Sequence, residues 1–162
     1  MKARLLLFGQ RCRECGFTLV ETTAVVAIVG TLAATALPRL TALSGEARYA
    51  SLENARAALA SVAAMSHAKF LINGAATQTF EDSKVALVHG YPVASQATAD
   101  AAGLGASYVV STVALGTMSL VPKSIAGTPR ANDCYLVYEQ ASAANQRPRI
   151  SMGDNTSAET CV

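Results

Sequence analysis

The chain has 162 residues, of which 51% are hydrophobic and only 15% charged, with no Trp and a formal net charge of +2. Its mean hydropathy of +0.30 places part of the apolar content in a membrane rather than in a soluble core. Residues 1–16 hold four bases and one acid, and the rest holds nine bases and ten acids; the body therefore has no basic patch of the kind that nucleic-acid binding requires.

Residues 1–16 form a basic leader with Lys2, Arg4, Arg11 and Arg13. It contains a Cys12-x-x-Cys15 pair, but a zinc or redox site needs a folded partner site, and no further ligand lies nearby. Residues 17–38 are an apolar run, "FTLVETTAVVAIVGTLAATAL", closed by Pro38. That is about the 20 residues a helix needs to cross a bilayer. The preceding bases put the N-terminus in the cytoplasm. The exception in the run is Glu21. A carboxylate in hydrocarbon costs ~2.5–3.5 kcal/mol on insertion scales and asks for a partner.

From Leu40 the pattern becomes amphipathic, and residues 39–74 read as the second half of the same helix. Leu40, Leu43, Ala47, Ala58, Val62, Met65 and Ile72 fall on one face at helical spacing, with Glu53, Arg56 and His67 on another. Asn73-Gly74 is a stop signal, because Gly accepts the left-handed conformation. A helix from about residue 18 to 73 would span roughly 80 Å at ~1.5 Å per residue. Pro38, lacking an N–H, would weaken or bend it.

Residues 75–162 read as a β-rich head. "ATQTFEDS" is a loop. "KVALVHGYP", "SYVVSTVA", "GTMSLVPKS", "CYLVYEQA" and "RPRISMG" are short β-branched or aromatic runs bounded by turn residues. "ASQATADAAGLG" holds room for a short helix. The expected architecture is α+β, with an antiparallel sheet of about four strands packed on the second half of the long helix. Cys134 and Cys161 are the only cysteines of the body, and a pair in an exported domain points to a disulfide.

Other chemistry finds little support. His67 and His89 are the only histidines, and no spacing assembles the three or four ligands of a metal site. There is no nucleophile elbow for a Ser-His-Asp arrangement. Gly103-Leu104-Gly105 lacks the third Gly and the strand–helix frame of a dinucleotide site. Asn155-Thr156-Ser157 matches a glycosylation sequon in a polar tail. Tyr135 and Tyr138 read as strand residues rather than a sugar site. No catalytic residue, metal or cofactor is expected.

The apolar run has three readings. One is a secretory signal peptide cut at Ala34-Thr35-Ala36. Another is an uncleaved anchor. Neither gives Glu21 a partner. A cut between Gly16 and Phe17 does, because it frees an α-amino group four residues from Glu21. In an array of such helices the amine of one chain meets the carboxylate of another, and two costly charges offset each other.

The run Gly16-Phe17-Thr18-Leu19-Val20-Glu21, continued through "VVAIVGTLAATALPRL" with Gly30 and Pro38 as helix-loosening positions, resembles the prepilin peptidase site of type IV pilins and pseudopilins. "LPRLTALSGEARYASLENARAAL", "HGYP" and "CYLVYEQASAANQRPRI" before Cys161 resemble the mannose-sensitive haemagglutinin branch. Two features depart from that pattern: Thr22 and Thr23 replace bulkier apolar residues, and the tail after "RPRI" is longer. The resemblance implies a leader, residues 1–16, removed by the prepilin peptidase, N-methylation of Phe17, and Glu21 as the assembly residue. It implies the type IV pilin fold and a non-catalytic subunit of a helical homo-oligomeric filament for surface attachment. The implied partners are the inner membrane, an assembly platform with its ATPase, and minor pilins. The subunit would be stored in the inner membrane with its N-terminus in the cytoplasm and would end in an extracellular pilus. A type II secretion pseudopilin is the near alternative, although major pseudopilins commonly end in a calcium-binding loop. A membrane-anchored periplasmic binding domain is the alternative from another class.

Overall fold

Residues 18–81, 83–144 and 146–162 are described in the computed structural model. The leader 1–16 with Cys12 and Cys15, and both residues of the Gly16-Phe17 junction, lie outside them. Apolar and Ala-rich sequence broken only by Gly30, Pro38 and Gly45 forms a single 55-residue helix, α1 (Leu19–Asn73). Gly74, with φ +62°, ends it, and its N–H donates to the Phe70 carbonyl at 2.8 Å. The Asn73 side chain completes the stop by accepting the Ala75 N–H at 3.0 Å.

Two antiparallel sheets follow, separated by a short helix. The first has three strands in the order β1 (Thr77–Phe80), β2 (Ser83–Val88) and β3 (Tyr91–Pro92). Val88 pairs with Tyr91 across a two-residue turn in which His89 and Gly90 both have positive φ, 55° and 82°. That is the type I′ geometry matched to strand twist. After α2 (Gln96–Ala101) comes a four-stranded meander of β4 (Tyr108–Ala114), β5 (Thr117–Pro122), β6 (Leu136–Glu139) and β7 (Arg149–Met152). A 3₁₀ turn, Pro129–Asn132, leads into β6.

The chain divides into two units between Pro38 and Arg39. Within the second, one stripe of α1 supplies the core: Leu52, Ala55 and Leu59 bury against Tyr108, Met118, Leu120, Leu136 and Tyr138 of the meander. A turn further on, Ala63 packs with Tyr91 and Ala141. Tyr108 ties β4 back to the helix, donating its hydroxyl to the Ser51 carbonyl at 2.8 Å.

The α+β class and the packing of the long helix on antiparallel strands follow the sequence expectation, as do the five strand segments and the short helix. Three details differ. "ATQTFEDS" contains β1 rather than a loop; Gln78 turns inward at 4% exposure, so the strand lacks an apolar inner residue to announce it. The strands form two sheets instead of one. The expected helix face holds only in part: Val62 is buried and Ala58 packs on the core, but Leu40, Leu43, Met65 and Ile72 are exposed, at 50% or more. The face that packs is the Leu52–Ala55–Leu59–Val62–Ala63–Ser66 stripe, built partly from small residues that a size-weighted pattern overlooks.

Leu59→Ala should lower the stability of the detergent-solubilised chain by about 2–5 kcal/mol, as expected for a fully buried Leu. Leu43→Ala, at an exposed position, should change it by less than about 0.5 kcal/mol. Thermal unfolding of the two variants separates the faces, and equal losses would contradict the assignment.

Candidate functional site

The N-terminal half of α1 begins with a local device. Thr18 precedes the helix, and its hydroxyl accepts the Glu21 N–H at 3.2 Å. Thr18-Leu19-Val20-Glu21 has the spacing of a capping box, with a hydroxyl at the cap and a carboxylate three residues on. Such a cap is worth about 0.5–2 kcal/mol. The carboxylate in the first turn also meets the positive end of the helix dipole. The cap bond uses the Glu21 backbone N–H, so the carboxylate's own part in starting the helix is its place at the positive end of the dipole. The T-x-x-E spacing ahead of an apolar run carries that signal, which sequence reasoning passed over. Among the described residues Glu21 has no ion-pair partner; the one salt bridge is Arg56–Glu53.

From Leu19 to Leu37 every large apolar side chain is more than half exposed, from 53% at Val25 to 80% at Leu19. This part of α1 is long and apolar enough to cross a membrane. A helix apolar on all sides needs lipid or other helices around it. The threonines in it make no outward polar demand. Thr22 donates its hydroxyl to the Thr18 carbonyl, Thr23 to Val20, Thr31 to Ile28 and Thr35 to Leu32, at 2.8–3.2 Å. Each hydroxyl is satisfied by its own helix, which is how Thr22 and Thr23 fit an apolar segment. Pro38 lies within the continuous helix. A Cβ at Gly30 would meet nothing within 4 Å.

The second feature is a lock at the C-terminal end of the head. Cys134 and Cys161 form the expected disulfide, 27 residues apart and with both cysteines fully buried. Closing such a loop contributes about 3–4 kcal/mol in the chain-entropy model. The segment it ties down lies on α1. Arg48 donates to the Cys161 carbonyl at 2.6 Å and to the Ser124 hydroxyl at 3.3 Å. Gly45 lies against the Ala158 carbonyl and the Val162 side chain. Thr160 donates to the Asn155 carbonyl at 2.8 Å, and Thr156 accepts the Tyr135 N–H at 3.2 Å. The bridge thus ties the segment ahead of β6 to the tail, and Arg48 ties the tail to α1. The cysteines were legible in the sequence; Arg48 and Gly45 carried no local signal.

The remaining marked residues are structural. The Nδ1 of His67 is 3.3 Å from the Gly90 carbonyl, and its ring stacks on Tyr91 at 4.3 Å. His89 occupies the β2–β3 turn. Tyr138 is fully buried and donates to the Pro92 carbonyl at 2.7 Å; burial pushes its phenol well above the usual tyrosine range. Tyr135 lies under Gly153. Asn155 is exposed and donates to an Asp133 carboxylate oxygen at 3.4 Å. Leu104, between Gly103 and Gly105, belongs to the core. No family model, curated protein or solved structure matches the chain. The apolar helix packed on antiparallel strands is compatible with a pilin-like fold.

Gly45→Ala would put a methyl 2.2 Å from the Ala158 carbonyl oxygen and 2.7 Å from Val162 Cγ2. Overpacking of this kind costs about 1–3 kcal/mol. Amide exchange in residues 157–162 should speed up while the disulfide stays formed. Gly30→Ala should leave exchange in that segment unchanged. Unaltered exchange in Gly45→Ala would show that the tail does not dock on α1.

Proposed function

We propose that this chain is a type IV pilin-like filament subunit of the mannose-sensitive haemagglutinin type. It waits in the inner membrane with its N-terminus in the cytoplasm, then polymerises through its N-terminal helix into an extracellular filament for surface attachment. The observation that carries the reading is the contrast within α1. Residues 19–37 expose all their large apolar side chains and hold one acid in the first turn, whereas between 52 and 66 one stripe, Leu52, Ala55, Leu59, Val62, Ala63 and Ser66, is buried in the head. A subunit that moves from lipid into a helical polymer needs both properties. Lipid covers the apolar surface first, and neighbouring copies cover it afterwards.

Glu21 supplies direction. In lipid its charge is a penalty. In the filament it faces the α-amino group of a neighbouring Phe17, freed by cleavage after Gly16 and N-methylated. A paired charge is tolerated where a lone one is not, so the pair sets the axial position at which a copy joins. The cleavage is performed by a prepilin peptidase, and extraction from the membrane by an assembly platform and its ATPase, with minor pilins accompanying the subunit. The chain itself performs no catalysis and uses no cofactor. The disulfide-locked end of the head serves mechanical durability outside the cell.

Glu21→Val should insert in the membrane and be cut after Gly16 as before. Surface filament recovered by shearing should fall by roughly 100-fold or more, since removing one member of a buried ion pair costs about 3–5 kcal/mol. Co-expressed wild-type chain should restore part of the incorporation. Normal filaments from Glu21→Val alone would remove the carboxylate from the account.

A further inference from the structure

The sequence holds one Asn-Gly pair, Asn73-Gly74, and the fold puts it at the end of α1. In such a pair the backbone nitrogen of the Gly can attack the side-chain amide before it, because no side chain hinders the approach. Both residues are exposed, and a Cβ at Gly74 would meet nothing within 4 Å. Water and base therefore reach the pair. What restrains it is hydrogen bonding and not cover.

The Gly74 nitrogen, the nucleophile of such an attack, donates its proton to the Phe70 carbonyl at 2.8 Å. Asn73 Oδ1 accepts the Ala75 N–H at 3.0 Å and Gln78 Nε2 at 2.8 Å, and Asn73 Nδ2 donates back to Gln78 Oε1 at 3.3 Å. Gln78 is only 4% exposed, also donates to the Ala75 carbonyl at 3.1 Å, and is held in β1 opposite Val85. The two side-chain amides thus close on each other as a pair. Turning the Asn73 carboxamide onto the Gly74 nitrogen requires that pair to break and Asn73 to leave its helical backbone. The restraint is one of position, because donors on Oδ1 stabilise the oxyanion of an attack at Cγ and do not oppose it.

We propose that Asn73 is a site of spontaneous deamidation that the Gln78 amide holds shut, so that the reaction follows opening of the α1–β1 junction. In the open state the Gly74 nitrogen loses its proton to solvent base and bonds to Asn73 Cγ. The Cγ–Nδ2 bond breaks, Nδ2 leaves as ammonia, and a succinimide ring remains. Water then adds to either ring carbonyl and gives aspartate or isoaspartate. Neither product has an N–H to offer Gln78 Oε1, and isoaspartate lengthens the main chain at the helix stop. An acceptor left unpaired at a buried side chain is costly, so the product keeps the junction open and the modification marks every chain that has opened there. This inference does not depend on the filament reading.

The test incubates the detergent-solubilised full chain in mildly alkaline buffer and follows the tryptic peptide 70–84, in which Asn73 is the one Asn, by mass spectrometry that separates isoaspartate from aspartate. Folded wild-type chain should deamidate far more slowly than the same chain in urea. Gln78→Val keeps a β-forming residue in β1 and removes the amide. It should raise the rate on the order of tenfold, the factor for ~1.4 kcal/mol of opening free energy lost with the clamp's hydrogen bonds. Gly45→Ala, which strains the head at the tail, should not raise it. Folded wild-type chain reacting as fast as chain in urea, or Gln78→Val reacting no faster than Gly45→Ala, would overturn the proposal.

Discussion

Burial of the Leu52–Ala55–Leu59 stripe of α1 is the contact on which the rest of the head depends. These three side chains are at most 1% exposed and reach residues of α2, the α2–β4 loop, three strands and both cysteines. The strands alone make two small sheets; α2 packs on β2 of the first, and the inner face of the meander has no strand layer to cover it. The Leu52–Ala55–Leu59 stripe of the helix covers the meander. The helix also fixes where the tail ends, because Arg48 and Gly45, one to two turns before Leu52, receive residues 158–162. The disulfide then converts a set of local contacts into a closed unit.

The same helix answers to two environments. Beyond the head its side chains are apolar on every face, and its threonines bond inward to their own carbonyls, so lipid or packed helices are the surroundings that suit it. Glu21 is the exception, and the positive end of the helix dipole gives a local reason for an acid in the first turn. That reason does not remove the energetic problem of a charge in hydrocarbon. A first-turn dipole contact needs only one turn of helix, whereas on the proposed filament reading the acid also pairs with a positive group outside the chain. The two roles are compatible, since an acid fixed in the first turn is held close to the N-terminal end of its helix.

Much of this was legible in the sequence. The apolar run and its odd carboxylate, the stop at Asn73-Gly74, five β-branched segments and the paired cysteines each carry a local signal with a short-range cause. What was missed depends on tertiary context. β1 was hidden because Gln78 turns inward and is satisfied by Asn73, donating to its Oδ1 at 2.8 Å. The packed face of α1 was placed only in part: Ala58 and Val62 do pack, but Leu52 and Leu59 at its centre were left out, while Leu40, Leu43 and Ile72 are exposed. The split into two sheets, and the docking of the tail on Arg48, arise from residues distant in sequence and have no periodicity to reveal them.

The central claim is that the apolar half of α1 remains in the product as a polymer core and is not discarded as a signal. Intact-mass and peptide mass spectrometry of filaments sheared from the cell surface test it most directly. The account predicts a chain beginning at Phe17 with one added methyl group and with Cys134 and Cys161 oxidised to each other. A chain beginning at Leu37, or its absence from surface filaments, would contradict it.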